Sequence, residues 1–248
     1  MSEAVAPRDL CDGVRFLFTE RAGGVSTGQF RSLNLSARVG DDPAAVAANR
    51  EWVLRRLGPG PKRMGWMRQV HGTGVAYLSD GTDDPSSPPS PEADAVFTDS
   101  RAIALGALGA DCAPVLIADP VAGLVGAAHA GRPGMAAGVV PALVEAMTAA
   151  GAQAGRMHAV IGPAICGGCY EVPAAMRDEV GGLVPGSACT TRAGSPGLDL
   201  RSGIHGQLAS LGVGRVSDDS RCTAESAELY SYRRDGATGR FAGLIWLS

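Results

Sequence analysis

With 248 residues, 45% of them hydrophobic and 19% charged, the chain has apolar material for one large core or two small ones. A formal charge of −3 supplies no overall basic field, which argues against nucleic acid or an anionic membrane as partner, and no apolar run approaches the ~18 residues of a membrane span. The opening stretch MSEAVAPRDLCDGVRF carries Glu3, Asp9 and Asp12 where a signal peptide needs apolar residues, so the expectation is a cytoplasmic protein whose six cysteines are free thiols.

In chain order, RFLFTE reads as a first strand, followed by a glycine-rich turn. DDPAAVAANREWVLRRLG reads as a helix with Asp42 as cap, Pro43 at the first helical position and Gly58 as stop. Its apolar stripe is Val46, Val53, Leu54 and Leu57, and Arg50 falls on that same stripe. An inward guanidinium needs an acidic partner or an anion, unless its stem packs and its head reaches water. MGWMRQVHGTGVAYL reads as one strand interrupted by HGTG, and the Pro/Ser/Asp-rich segment 79–94 as a mobile surface loop. DAVFTD, AIALGALGADCAPVLIAD and AGLVGAAHAG are short apolar runs bounded by Asp, Pro and Gly, which fits strands buried on both faces. GMAAGVVPALVEAMTAAGA reads as helix, restarted or kinked at Pro141; HAVIGPAI as strand, VPAAMRDEVGGL as helix and GRFAGLIWL as a last strand. SYRRDGATGR reads as a solvated hairpin around a glycine turn. Strands and helices mix without strict alternation and no GxGxxG or P-loop is present, so the expected fold is α+β, one domain over 1–248.

Three chemically capable residues share one kind of address. His71, Cys112 and His129 each stand where an apolar strand meets a turn. Neutral imidazole and thiolate are ligands that zinc favours, and three protein ligands leave a fourth position open, as in catalytic zinc sites. Copper suits the same set. Residue types alone leave two more readings open: buried structural histidines beside a core cysteine, or a Cys–His nucleophile pair with Asp111 as orienting carboxylate. The C-x-x-C at 166–169 lacks a second C-x-x-C and a thioredoxin-like context, so it reads as a glycine-rich loop with Cys169 packed.

The motifs FTERAGGVSTGQFRSLNLSARVGDDPAAVAANRE, QVHGTGV, DAVFTD, ADCAPVLIAD, VGAAHAGRPGMAAGV, IGPAICGGCYEV and CTAESAELYSYRRDGATGRFAGLIWL, in that order, resemble one known family over nearly the whole chain. It is the family labelled multicopper polyphenol oxidase or laccase-domain proteins. Its members are better described as purine nucleoside phosphorylases with adenosine deaminase activity, and one bacterial branch is called peptidoglycan editing factor. The resemblance implies layered mixed β-sheets flanked by helices, metal ligands at His71, Cys112 and His129, and a phosphate contact at Arg50. Two departures bear on the substrate pocket. HAGRPG stands where many members have HAGWRG, which puts the arginine at Arg132, and CGGCYE stands where they have GPCCYE, keeping Cys169, Tyr170 and Glu171.

The expectation is therefore a zinc enzyme that phosphorolyses adenosine, inosine or guanosine to base and pentose 1-phosphate and deaminates adenosine. Glu171, Asp111 and Arg132 are expected as acid–base or substrate contacts, and Ser26 and Asn34 as hydrogen-bonding partners of sugar or phosphate. Its partners are nucleosides and phosphate, and a monomer is compatible with the reading. A four-copper oxidase needs about ten histidines and the chain has 4, so only phenol oxidation by a single copper stays open. Two rivals remain: a metal-free cysteine hydrolase acting on cell-wall precursors, with Cys112 as nucleophile, and a non-catalytic nucleoside or metal sensor.

Overall fold

Two β-sheets stack face to face, because their central strands present apolar side chains on both faces. The computed structural model describes residues 6–80 and 90–248; residues 81–89, within the expected surface loop, lie outside the described residues. Strands β1 (Arg8–Cys11), β2 (Val14–Phe18), β3 (Arg63–Gly65), β6 (Ile103–Gly109) and β13 (Phe241–Leu247) form a five-stranded sheet in the order β1-β2-β13-β6-β3. Strands β4 (Val75–Tyr77), β5 (Ala95–Thr98), β7 (Ala113–Asp119), β8 (Leu124–Ala130), β9 (His158–Ile161) and β12 (Arg215–Asp218) form a six-stranded sheet in the order β12-β9-β7-β8-β5-β4. Both are mixed, and the short strands β10 (Ala188–Thr190) and β11 (Pro196–Leu198) make a separate hairpin.

The two-residue period of a strand sorts the side chains into layers. On β7, Leu116 and Ala118 point into the core between the sheets, against Phe16, Phe18, Leu105 and Ile245, while Val115 and Ile117 point the other way, into the helix layer. That helix layer comprises α2 (Arg132–Ala137), α3 (Val139–Ala149), α4 (Ala174–Leu183) and α5 (Leu200–Ser210), with Leu143, Met147, Val180 and Ile204 buried in it. On the far side α1 (Pro43–Leu54) lays Val53 against the outer face of the five-stranded sheet, where Leu244 and Trp246 are buried. A sixth short helix, α6 (Tyr232–Asp235), begins at a Ser231 cap. The result is the expected α+β domain of layered sheets and helices. Among the described residues no helix is long and apolar enough to cross a membrane.

Several local expectations shift. Asp42 accepts the Ala44 amide at 2.9 Å and Pro43 opens α1, but the helix ends at Leu54, one turn before Gly58. The predicted helix over 134–152 is two helices, broken at Gly138, whose φ of 93° is left-handed, with Pro141 in the first turn of the second. Helix α5 escapes sequence reading because Gly203 and Gly206 dilute its helical signal. The segment 64–78 is not one interrupted strand: β3 belongs to one sheet and β4 to the other. Likewise β6 and β7 lie in different sheets. Both crossings carry site residues, His71 on the first and Asp111-Cys112 on the second.

Candidate metal centre and its cavity

Strand register brings the three predicted ligands together. Antiparallel pairing of β7 with β8 sets Ala113 opposite Ala130, so Cys112, one residue earlier, meets the end of the strand that carries His129. Pairing of β5 with β8 sets Ala95 opposite Ala128, which puts Asp94 beside His129. The loop between β3 and β4 then lays His71 over both. The donor atoms of His71, Cys112 and His129 all lie within 4.8 Å of one another. Cys112 Sγ is 3.7 Å from His71 Nε2, and the two imidazole rings meet edge to face with centroids 4.8 Å apart. Gly131 makes this approach possible. A Cβ there would stand 2.7 Å from Cys112 Sγ and 2.8 Å from the His71 ring, closer than such atoms approach.

Asp94 orders the cluster from behind. Its wholly buried carboxylate accepts Nδ1–H of His129 at 2.8 Å and the amides of Val70, His71 and Gly72 at 3.1, 2.9 and 2.7 Å. Burial disfavours the Asp94 charge, but these donors outweigh it and hold the carboxyl below its usual range. Bonding Nδ1 leaves Nε2 of His129 as the free nitrogen, the arrangement in which a metal-ligating histidine is normally held. The same carboxylate fixes the backbone of His71, whose φ is +63°, and Asp111 before Cys112 has φ +105°. Two non-glycine residues in this region cost energy that the surroundings must offset. For Asp111 they do so through its carboxylate, which accepts from Thr223 (2.6 Å), Ser231 (2.7 Å) and the Arg233 amide (2.7 Å).

The charge balance of the cluster suits a cation. Burial alone would raise the Cys112 thiol, yet the neighbouring imidazoles draw it down to about 6. Burial would lower His129, yet the Cys112 thiolate and Asp94 carry it up to about 9. Without metal the pair is thus a thiolate beside an imidazolium, and the proton on His129 is what a metal ion would displace. Two nitrogens and one thiolate, with a carboxylate behind one imidazole, fit the donor chemistry of zinc.

The cluster opens into a cavity of about 580 Å³, lined also by Gln69, Tyr170, Tyr232 and the guanidinium-bearing side chains of Arg38, Arg132, Arg233 and Arg240. Among the described residues, the one acidic residue in that lining is Asp111, whose carboxylate is already engaged by Thr223, Ser231 and the Arg233 amide. Among the expected substrate contacts, Arg132 and Asp111 line the cavity; Arg50, Asn34, Ser26 and Glu171 do not. Arg50 rests 4.5 Å over the Trp66 ring and donates Nε to the Leu35 carbonyl at 2.9 Å, with its pKa lowered to about 10 by burial. Ser26 donates to Asp41 at 2.6 Å, and Asn34 braces Ser36, Asp41 and the Arg240 amide. Glu171 accepts from Ser195 at 2.8 Å. SYRRDGATGR, expected as a solvated hairpin, is exposed over 232–237 but opens with α6 rather than a hairpin, and its Arg233 and Arg240 line the cavity. Asp94, Arg38 and these two arginines are among the residues that sequence reading did not assign. A carboxylate immediately before a largely buried strand was the available signal for Asp94.

The family model for multi-copper polyphenol oxidoreductase laccase matches residues 15–248. The chain belongs to this family. Among its relatives are a purine nucleoside phosphorylase of Streptomyces griseus, 55% identical over 94% of each chain, and one of Streptomyces coelicolor, 51% identical over 98% of this chain and 99% of that one. Similar solved structures include a Neisseria meningitidis protein (TM-score 0.87, 36% identity, covering 99% of this chain and 100% of that one) and YlmD from Geobacillus stearothermophilus (0.86, 32%, 100% and 98%). Membership agrees with the layered fold. Of the 4 histidines, two form the cluster, while His205 faces Asp218 and His158 opens β9.

Proposed function

We propose that the protein is a metal-dependent purine nucleoside phosphorylase that also deaminates adenosine. The observation that carries this reading is the joining of a three-ligand metal cluster and four arginines in one cavity, in a chain half identical to proteins named purine nucleoside phosphorylase. His71, Cys112 and His129 would hold zinc, or copper in its place. Bound there, the metal supplies a Lewis acid with an open position. Arg132, Arg233, Arg38 and Arg240 offer forked donors for phosphate, positioning it to attack the anomeric carbon of the pentose. Tyr170 and Tyr232 provide faces on which a purine can stack. Asp94 keeps His129 in one tautomer, and Asp111 fixes the segment that delivers Cys112.

Product analysis tests the reading. Incubated with inosine, the zinc-loaded protein should release hypoxanthine and ribose 1-phosphate only when phosphate is present; with adenosine it should also form inosine without phosphate. Absence of base release from any purine nucleoside would contradict it. One observation favours a second reading: Cys112 Sγ lies 3.7 Å from His71 Nε2, a thiol–imidazole contact that draws the thiol down and is also the signature of a cysteine nucleophile. That reading predicts a hydrolase insensitive to chelators and destroyed by alkylation of Cys112.

A further inference from the structure

The C-x-x-C motif at 166–169 has no second pair in the sequence, yet the fold gives it one. Cys222 and Glu225, spaced as the first two cysteines are, come up beside it, and the donor atoms of Cys166, Cys169, Cys222 and Glu225 all lie within 4.8 Å of one another. The two loops share one backbone design. The amides of Cys169 and Tyr170 donate to the Cys166 carbonyl at 2.9 and 3.0 Å, and those of Glu225 and Ser226 to the Cys222 carbonyl at 3.1 and 2.9 Å. They are joined edge to edge at Ala164 and Cys222, and the Cys166 amide donates to Cys222 Sγ at 3.3 Å. Two matching turns that each present a donor at both ends form a knuckle pair, and amide-to-sulfur bonds are what a metal-bound thiolate accepts.

We infer that Cys166, Cys169, Cys222 and Glu225 form a second, structural zinc site that ties these two loops together. Tetrahedral zinc with Zn–S near 2.3 Å puts neighbouring sulfurs roughly 3.8 Å apart, so closing onto the ion takes shifts of at most about 1 Å per pair. Three thiolates with one carboxylate suit zinc better than copper(I), which the hard oxygen disfavours. A cation already sits there. Arg192 pairs with Glu225 and points Nη1 at Cys169 Sγ from 3.4 Å and Nη2 at Cys166 Sγ from 4.0 Å. Its side chain is 63% exposed, free to swing into water when zinc takes its place. The site lies directly behind the cavity wall: Ile165 and Tyr170 flank one knuckle, and Thr223 in its counterpart holds Asp111 beside Cys112. The ion would therefore stiffen the wall without touching substrate.

Metal counting on the full chain tests this separately from the first site. After chelator treatment under reducing conditions, the His71→Ala/Cys112→Ala/His129→Ala variant is expected to take up about one equivalent of cobalt(II) or zinc. Its cobalt form should show sulfur-to-metal charge transfer of the intensity given by three thiolates. Cys166→Ser/Cys169→Ser should lose that signal and keep the weaker one from Cys112. On unaltered protein, which bypasses any folding defect of the variants, zinc should protect Cys166 and Cys169 from alkylation at least about tenfold, read peptide by peptide. Alkylation rates unchanged by zinc, uptake confined to the first site, or a disulfide within the cluster after metal exposure would each overturn the assignment.

Discussion

Asp94 shows how one residue sets the chemistry of its neighbours. It fixes the tautomer of His129 and holds three successive amides of the His71 turn, so both imidazoles depend on it. Replacing it with asparagine keeps the volume but loses the charge and part of the acceptor capacity. Asp94→Asn should weaken zinc binding by about 10- to 100-fold in competition with a chromophoric chelator; unchanged affinity would show that the carboxylate only packs. Cys112 offers a pH test on metal-free protein. Because its pKa is lowered, the thiolate should persist down to about 6 and be protonated below, so the alkylation rate of Cys112 should rise to half its plateau near that pH. A midpoint near the ordinary thiol value of ~8.5 would contradict the ion pair with His129. These effects were only partly legible in the sequence. Residue types and positions singled out His71, Cys112 and His129, but a carboxylate that acts from behind them is visible only once register sets it there.

Elements deliver these residues, and the two chain crossings between sheets are the ones that matter. His71 and Cys112 ride the segments that leave one sheet for the other, and His129 ends a strand whose register is fixed by burial on both faces. Sequence periodicity found the apolar run of β8 but ran β6 together with β7, since buried strands read as continuous apolar runs. It merged β3 and β4 because nothing in MGWMRQVHGTGVAYL marks a change of sheet. Gly131 is where the three segments come closest, and Gly131→Ala should push His71 and Cys112 apart. The expected outcome is a fall in turnover of about a hundredfold with the melting transition retained. Wild-type activity in this variant would show that the donors need not approach so closely.

At the scale of the whole molecule, a chain of net charge −3 concentrates four arginines in the cavity beside His71, Cys112 and His129. Composition carries no trace of this, because guanidinium groups far apart in sequence converge only after both sheets have stacked. The α+β class was legible in apolar runs and caps that mix without strict alternation, while the layering of the sheets was implied by the family resemblance alone. The source of the cavity's positive charge was legible only at Arg132: Arg50, which shares the apolar stripe of α1, lies over Trp66, while the exposed segment that follows Ser231 contributes Arg233 and Arg240 to the site. The central claim is that His71, Cys112 and His129 hold the ion on which catalysis depends. Its most direct test is phosphorolysis of inosine by metal-free protein as zinc is added back, run beside His71→Ala. Activity should return with zinc in the unaltered protein and stay at least about a hundredfold lower in the variant. Equal turnover by the two proteins, or full turnover before any zinc is added, would contradict it.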